Sequence, residues 1–441
     1  MASFGVCMSI SKGVRTTNIT PTWVERMELG CWYAISGDRP DLELQPTATG
    51  TRYLVDTDPA RDPRLNPPRT LEERMRRALG REPESPWCGT AGFSAITEAW
   101  NSAAYASQYG SSGSMILFGG GHNDYFGSAV HAFDLATREW RRLTDGYVSG
   151  REGDYGEGAR YPDAVYPDGS PLPPHTYDYV QYDATGNDYL LFKGQTELGH
   201  NVKAIALPHL FNLDTLEWRH GPRHPTAILN SGGWTTWDGS RRVIWGHSGD
   251  DAGGNAFIGY CPDGENGEGV FGRWTEHYPS KLPGVASHNA MQIDPLRDII
   301  VVSVHARDAL YAIDPADPER EIVRIESTGS KPQLRPFAAL EYAPSLESLL
   351  YFSPLDHGTI YAVASSRAPR SHDKLGGQWT WQPYRPEDNA LDPIADAARR
   401  SRYPVNLGQA FGRFRIASFG ATDLAILVRH VDSPVYAMRL M

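Results

Sequence analysis

The sequence predicts an all-β protein in which a four-stranded unit repeats along the chain and the units close into a ring. Three observations favour this fold class: a strand-loop-strand pattern that recurs, histidines that recur after apolar runs, and a strand-like segment without local partners at each end. Internal repetition is considered first, because a missed repeat leads to the wrong architecture.

The repeating unit is clearest between residues 114 and 143. An apolar run at 115–118 ends in three glycines, and a second strand-like run then leads into Phe133-Asp134-Leu135. The pattern Phe-Asp-Leu-x-Thr-x-Glu-Trp at 133–140 matches Phe-Asn-Leu-x-Thr-x-Glu-Trp at 211–218 position by position. Apolar runs separated by short polar segments with turn-forming residues are typical of antiparallel strands.

Six histidines share one place in this pattern, after one apolar run and before the next. They are His122, His200, His247, His305, His357 and His430. Their recurrence indicates six units between residues 92 and 441. Trp140, Trp218, Trp274 and Trp379 hold the fourth-strand position, and residues 322–325 hold it in the unit around His305.

The two ends of the chain complete this pattern. Trp32 lies on a strand-like segment, 30–36, that has no earlier strands, whereas the last unit ends after its third strand. Pairing of the two ends would remove exposed sheet edges. Residues 37–90 interrupt the repeats and predict an insertion with one short helix that begins at a capping box, Thr70 to Glu73. We therefore expect a single domain over 1–441.

The glycines followed by Phe-Asp-Leu-x-Thr-x-Glu-Trp resemble the Kelch motif, and residues 92–441 with the Trp32 strand resemble a Kelch-type β-propeller. This resemblance implies a closed β-propeller of six or seven four-stranded blades, with the N-terminal strand completing the last blade. The segments 119–127, GGGHNDYFG, and 167–182, PDGSPLPPHTYDYVQY, are similar to bacterial propeller polysaccharide lyases of the ulvan-lyase kind. Such lyases usually have seven blades, and a seventh would lie within 37–90.

In a propeller, the ends of the second strands and the starts of the first strands emerge on one face, at the mouth of the central channel. The repeat histidines should therefore meet residues that begin first strands. These are His175, His288, Asn289, Arg335, Gln409 and Arg413. Strand alternation places His175, Tyr177 and Tyr179 on one side of their strand, and likewise His288, Ala290 and Gln292. A single histidine in such a place often only caps turn backbone.

The resemblance to lyases implies β-elimination on a polysaccharide that contains uronic acid. His122 and Asn123 would bind the carboxylate, His175 and Tyr177 would serve as acid and base, and Lys193 replaces the arginine of such lyases. Further substrate contacts are expected from His200, His247, His288, Asn289, Arg335 and Arg413. Two long connections, 145–174 and 386–404, should overhang the mouth, and Arg399, Arg400 and Arg402 in the second favour an anionic ligand.

Three alternatives stay open. A divalent-metal-dependent oligouronide lyase would use the histidines, with Gln409 or Asp124, as ligands, so the cofactor is either none or a divalent metal. A Kelch-type interaction propeller would bind a partner protein without catalysis. A copper radical oxidase is disfavoured because none of the four cysteines lies at an expected mouth position.

Composition limits the other partners. A net charge of -11 argues against nucleic acid, and scattered cysteines argue against a disulfide framework. No apolar run has the length of a signal peptide or a membrane span. We expect a cytoplasmic monomer that binds an anionic polysaccharide or oligosaccharide and no membrane, or a secreted protein if a leader has been removed.

Overall fold

The computed structural model of the chain describes most residues of the repeats. The described residues are 18–37, 40–47, 50–51, 95–98, 100–121, 125–147, 159–198, 204–225, 229, 232–248, 257–265, 271–277, 287–319, 322–365, 374–384, 391–400 and 411–440. They form a six-bladed β-propeller, which confirms the predicted fold class.

Each of the first three blades is a four-stranded antiparallel sheet, and a separate strand, β1 (Trp32–Ala34), precedes them in the chain. Blade one contains β2 (Ala103–Ala106), β3 (Ser114–Leu117), β4 (His131–Asp134) and β5 (Glu139–Arg142). Blade two contains β6 (Val180–Asp183), β7 (Asp188–Leu191), β10 (His209–Asn212) and β11 (Glu217–His220), with a small hairpin of β8 (Gly194–Gln195) and β9 (Ala204–Ile205). Blade three contains β12 (Trp234–Asp238), β13 (Val243–His247), β14 (Phe257–Glu265) and β15 (Phe271–His277).

The last three blades follow the same order, and blade five gains a parallel fifth strand. Blade four contains β16 (Ala290–Asp294), β17 (Ile299–Val304), β18 (Ala309–Ile313) and β19 (Val323–Ile325). Blade five contains β20 (Ser327–Gly329), β21 (Ala339–Ala343), β22 (Ser348–Phe352), β23 (Ile360–Ser365) and β24 (Trp379–Tyr384). Blade six contains β25 (Phe414–Phe419), β26 (Thr422–Val428), β27 (Val435–Arg439) and β1.

Helices are short. The α-helices are α1 (Ala95–Glu98) and α2 (Pro393–Arg400), and single 3₁₀ turns occupy Thr22–Arg26, His305–Arg307, Pro344–Leu346, Pro354–Asp356 and Phe411–Arg413. The helix predicted at Thr70 lies outside the described residues, as does most of the segment considered for a seventh blade. Its described residues 40–47 and 50–51 contain no strand.

The ring closes as predicted. The first strands of the six blades contact one another in sequence around the channel, from β2 through to β25 and back to β2. Strand β1 pairs with β27, with Trp32 opposite Met438, so the N-terminal strand is the outermost strand of blade six. Trp32 is buried, and its Nε1 donates to the carbonyl of Gly358 in blade five at 2.8 Å.

The recurrent Phe-Asp/Asn-Leu-x-Thr-x-Glu-Trp pattern forms the turn between third and fourth strands. Phe133 lies opposite Trp140 in the sheet, and their ring centroids are 5.2 Å apart. The Asp134 carboxylate accepts a hydrogen bond from the amide of Thr137 at 2.9 Å, which closes the turn. An aromatic cross-strand pair and a side-chain cap therefore explain why these positions repeat.

The two faces of the ring are fixed by strand register. Trp234 at the start of β12 lies opposite His247 at the end of β13, so first strands begin where second strands end. We call this side the mouth face, and the side that carries the turns between first and second strands the opposite face. The order of these ends confirms the predicted geometry of the mouth.

Aspartates and arginines stabilise the opposite face. The buried Asp238 carboxylate accepts hydrogen bonds from the amides of Ser240 and Arg241, each at 3.0 Å. Arg241 also pairs with Asp298 of blade four at 2.6 Å. Ion pairs of this kind join one blade to the next outside the apolar core.

Candidate functional site

Four ring side chains from four blades meet at the centre of the mouth face. Trp100, Tyr177, His288 and Phe337 each lie two or three residues before a first strand and all have left-handed backbone, with φ of 41°, 45°, 68° and 65°. We call these four residues the mouth cluster. In blade three, Gly232, with φ of 74°, takes the same place.

Backbone hydrogen bonds show that these positions are equivalent. The amide of Tyr177 donates to the carbonyl of Trp100 at 2.6 Å, and the amide of His288 donates to the carbonyl of Gly232 at 2.6 Å. The amide of Phe337 donates to the carbonyl of His288 at 3.1 Å. Each bond joins one blade to the next, so the main chain itself forms part of a girdle around the mouth.

The side chains of the mouth cluster pack on one another. The rings of Trp100 and His288 stack with centroids 5.5 Å apart, and Phe337 lies 5.3 Å from Trp100 and 4.3 Å from His288. Tyr177 completes the cluster, 6.2 Å from Trp100. Tyr177 is buried, whereas the other three are half-buried. The cluster therefore presents a partly exposed aromatic surface.

The extended backbone that the predicted alternation assumed before the first strands is absent, although Tyr177 and Tyr179 do lie against one group. The Nζ of Lys193 is 4.7 and 5.6 Å from their ring centroids. Strand β6 begins only at Val180, and the left-handed Tyr177 interrupts the extended backbone between His175 and Tyr179. His288 interrupts the approach to β16 in the same way. A two-residue period requires extended backbone throughout, so it does not apply across a left-handed residue.

Three of the four catalytic candidates lie together. The rings of His175 and Tyr177 meet edge to face at 5.8 Å. The Nζ of Lys193 lies 4.7 Å from the centroid of the Tyr177 ring and donates to the carbonyl of His175 at 3.3 Å. All three side chains are buried. His122 and Asn123 lie outside the described residues, so their predicted roles stay predictions.

The two segments that suggested a lyase pack directly against each other. The amide of Gly120 donates to the carbonyl of Pro174 at 3.1 Å. A Cβ on Gly121 would lie 1.5 Å from the carbonyl oxygen of Pro173, so only glycine permits this approach. The glycine run thereby fixes the chain that leads into His175.

Asn101 is a buried organiser of the mouth that sequence reasoning missed. Its side-chain oxygen accepts hydrogen bonds from the amides of Gly120 at 3.1 Å and Thr176 at 3.0 Å, and its amide nitrogen donates to the carbonyl of Ala95 at 2.7 Å. The residue joins α1, the glycine run and the segment before β6. A lone asparagine gives no sequence pattern that could have indicated this role.

The four described repeat histidines have different surroundings, and two of them, His247 and His305, meet residues at the starts of first strands as predicted. His247 is buried and stacks on Trp234 at 4.7 Å, and His430 is buried with its Nδ1 accepting from the amide of Asp432 at 3.1 Å. His357 is 81% exposed and lies 3.5 Å from Asp392. The connections from second to third strands differ between blades, so the histidines fall at different distances beyond the strand ends. His122 and His200 lie outside the described residues.

His288, Asn289 and His305 are neighbours at the mouth of blade four. The Nδ1 of His305 lies 2.9 Å from the side-chain oxygen of Asn289, which is buried. Burial, with a smaller contribution from His305, lowers the pKa of His288 to about 4. His288 is therefore neutral at neutral pH, and it adds no charge to the mouth cluster.

Of the two candidate arginines, Arg413 makes a structural contact through its side chain. Arg413 is fully buried, and its Nη1 donates to the carbonyl of Asn101 at 2.7 Å. Arg335 is half-buried, and its backbone amide donates to the hydroxyl of Tyr351 at 2.6 Å. Both residues precede first strands, as predicted, but Arg413 connects blade six to blade one.

The basic loop after blade five lies at the rim. Arg399 and Arg400 of α2 pair with Asp396 at 3.1 and 2.8 Å. Helix α2 contacts β1, the outermost strand of blade six, so these arginines do not overhang the channel as expected. Arg402 and Gln409 lie outside the described residues.

A buried ion cluster crosses the channel and was also missed. Arg415 of blade six donates through Nε to the carbonyl of Ala103 in blade one at 2.8 Å, and its Nη1 bonds to Glu341 of blade five. Its Nη2 donates to the carbonyl of Val180 at 3.1 Å and to Asp178 at 3.3 Å, both in blade two. One guanidinium therefore connects blade six to three other blades.

Burial dominates the electrostatics of this cluster. Burial raises the pKa of Asp178 to about 7, although Arg415 acts to lower it, and burial also raises the pKa of Glu341. Burial disfavours the charge of Arg415, but Glu341 and Asp178 raise its pKa overall. The sequence signal for this cluster was one charged residue within each of two apolar runs, Glu341 in ALEYA and Arg415 in FRIASF.

Within the described residues, no group of three or more His, Cys, Asp or Glu side chains is placed to hold a metal ion. The candidate ligands His122, Asp124, His200 and Gln409 lie outside the described residues, so the divalent-metal version stays a prediction. No helix in the described ranges is long and apolar enough to cross a membrane.

A cavity of about 380 Å³ lies at the rim between blades one and two. Its lining combines carboxylates, hydroxyls and apolar side chains: Thr144, Asp145, Asp168, Gly169, Ser170, Leu216, Glu217 and Trp218. Nothing in the sequence repeats indicated this cavity, because its walls come from three separate segments.

No protein-family model and no curated protein matches this chain.

Proposed function

We propose that the protein is a polysaccharide lyase that cleaves a uronic-acid-containing polysaccharide by β-elimination at the mouth of the propeller. The observation that carries the proposal is the meeting of His175, Tyr177 and Lys193, the edge-to-face ring contact and the 4.7 Å cation contact described above. An acid-base pair beside a cation is what this elimination requires.

The chemistry assigns a role to each side chain. The C5–H bond breaks, its electron pair forms the C4–C5 double bond, and the C4–O bond breaks as the departing oxygen takes a proton. Lys193 stabilises the negative charge that develops on the uronate, and Tyr177 and His175 remove and deliver the two protons. Lysine supplies a point charge where arginine would supply a fork of donors, so carboxylate recognition would depend on further groups.

Burial sets the strictest requirement on this proposal. His175 is 4% exposed, Tyr177 3% and Lys193 4%. Their reacting atoms must become accessible when the substrate binds.

The test is a screen against uronate-containing polysaccharides, followed by the ultraviolet absorbance of the unsaturated sugar that β-elimination produces. Tyr177→Phe should abolish activity, whereas Tyr189→Phe, which removes another buried tyrosine hydroxyl of blade two, should not. Loss of activity with a chelator would favour the divalent-metal version. Absence of absorbance with every uronate would reject both lyase versions.

A second candidate function, an interaction propeller, is favoured by the same burial and by the rim cavity. Asp145, Asp168 and Glu217 surround its Trp218 wall, which suits a basic side chain of a partner peptide. Glu217→Lys should weaken binding of lysine-rich peptides in calorimetry, and Tyr177→Phe should leave it unchanged. If Glu217→Lys binds lysine-rich peptides as tightly as Tyr177→Phe does, the interaction propeller is rejected.

A further inference from the structure

We propose that Trp100, His288 and Phe337 form a platform on which one sugar ring of the substrate stacks through its apolar face. The inference deepens the proposed function and rests on it for the identity of the sugar as a uronate. β-Elimination itself requires neither Trp100 nor Phe337, so the platform adds a binding role to the catalytic one.

The first argument is backbone strain. A bulky residue with positive φ is uncommon, because this backbone conformation is strained for any residue with a side chain. The mouth cluster places four of them, with φ between 41° and 68°, at equivalent positions of four blades. On the opposite face, left-handed Asn187, Arg242 and Asp298 end tight turns between strands.

No tight hairpin requires left-handed backbone at Trp100 or Phe337, because each follows a long connection and leads into a first strand. The interblade hydrogen bonds of the girdle involve only main-chain atoms, and Gly232 makes one of them without a side chain. The side chains are therefore not needed for the girdle. Gly232 also shares their left-handed backbone, so the conformation belongs to the girdle, and what the four side chains add is the meeting of large rings at one point.

The second argument is exposure. Trp100, His288 and Phe337 are each only half-buried, so part of each residue remains exposed to solvent. Trp100 and His288 are nearly parallel, with 21° between their planes. Apolar aromatic surface with a few polar groups beside it is typical of small-ligand sites.

The third argument is charge. The platform is neutral at neutral pH because burial keeps the pKa of His288 low. Lys193 lies on the adjoining ring of Tyr177, which in turn is 5.8 Å from His288. A neutral surface beside one cation suits a ring that has an apolar face and a single carboxylate. A uronate sugar has both features.

The experiment measures binding and turnover of uronate oligosaccharides by the full chain. Trp100→Ala and Phe337→Ala should each raise KM by about twofold to tenfold, from a stacking contribution of about 0.5–1.5 kcal/mol, with little change in kcat. Trp100→Phe should restore most of the affinity. Trp237→Ala is the matched control, because Trp237 is a half-buried tryptophan on β12 next to Asp238 of the opposite face.

Binding is measured separately by calorimetry in the Tyr177→Phe background, with thermal melting of each variant. Unchanged KM and binding in Trp100→Ala and Phe337→Ala, with an active wild type, would overturn the platform and leave the lyase intact. Binding that depends on Trp100 in a protein without lyase activity would support the platform and reject the lyase. If the variants only lower Tm, the rings are a structural plug and the platform is wrong.

Discussion

The two faces of this propeller use left-handed backbone for different purposes. On the opposite face, Asn187, Arg242, Asp298 and Glu347 take this conformation as the last residue of a short turn. On the mouth face, the mouth cluster takes it where no short turn exists. Turn geometry explains the left-handed backbone on the first face, whereas on the second the same conformation accompanies the interblade hydrogen bonds of the girdle and is shared by Gly232.

Polar contacts differ in the same way. On the opposite face, carboxylates cap their own turns and then pair with arginines of the neighbouring blade, as Asp183 does with Arg242 at 2.8 Å. At the mouth, polar side chains lie against rings or amides, and Lys193 lies over Tyr177. The comparison indicates that one face maintains the ring and the other holds the site.

The ion cluster in the channel should give the largest effect on stability. Arg415→Met leaves Glu341 and Asp178 buried without their cation, which typically costs about 3–5 kcal/mol. Chemical denaturation of wild type and variant measures the difference. The lost stability should affect the whole ring, since Arg415 joins blade six to three other blades.

The double variant Arg415→Met, Glu341→Leu is the control for this cost. Replacing charges by apolar groups of similar volume is often nearly neutral, so the double variant should recover part of the stability. A loss of stability below about 1 kcal/mol in Arg415→Met would contradict this prediction, because exposed ion pairs already contribute that much.

Asp238→Ala should have an intermediate effect and should sharpen the contrast between the faces. It leaves two turn amides without their cap and removes one partner of Arg241, for an expected loss of about 1–3 kcal/mol. Denaturation measures the loss, and the activity per folded molecule should not change. A fall in that activity would contradict the assignment of this face to assembly.

Lowering the pH should reduce the free energy of unfolding through His288 on the mouth face, by less than the substitutions above. Unfolded His288 binds a proton near its ordinary pKa of 6.5, but folded His288 does so only near 4. Its contribution to stability is therefore complete above pH 6.5 and is lost as the pH falls towards 4. Burial lowers the pKa of His131 and His209 in the same direction.

His288→Asn isolates this contribution, because asparagine also tolerates left-handed backbone. The free energy of unfolding of this variant should fall less steeply than that of wild type between pH 6.5 and 4. Asp178, whose raised pKa acts in the opposite direction, is present in both proteins and cancels in the comparison. Identical pH profiles would show that His288 is not kept neutral by the fold.

The sequence predicted the features that depend on repetition. The Phe-Asp-Leu-x-Thr-x-Glu-Trp pattern locates third and fourth strands because its cap and aromatic pair are local interactions. The unpaired Trp32 strand predicted the closure with β27, since an exposed edge must be paired or covered. The repeated order of strands also predicted that His175 and Tyr177 lie at the approach to the first strand of a blade.

The features that were missed or wrong depend on contacts between distant residues. The left-handed backbone of Tyr177 could not be predicted, because its amide bonds to the carbonyl of Trp100 in another blade. The only local signal of Arg415 is a charge within an apolar run, and its partners come from three other blades. The histidines recur in sequence, but loops of different length separate them in space.

The central claim, that the mouth face carries the function and the opposite face carries only stability, is tested most directly by one paired measurement. Tyr177→Phe and Asp238→Ala are compared for lyase activity, by ultraviolet absorbance on the best uronate substrate, and for the free energy of unfolding. The account predicts that Tyr177→Phe lowers kcat by about 10²-fold or more with little loss of stability, and that Asp238→Ala does the reverse. Equal loss of activity in both variants, or full activity in Tyr177→Phe, would contradict it.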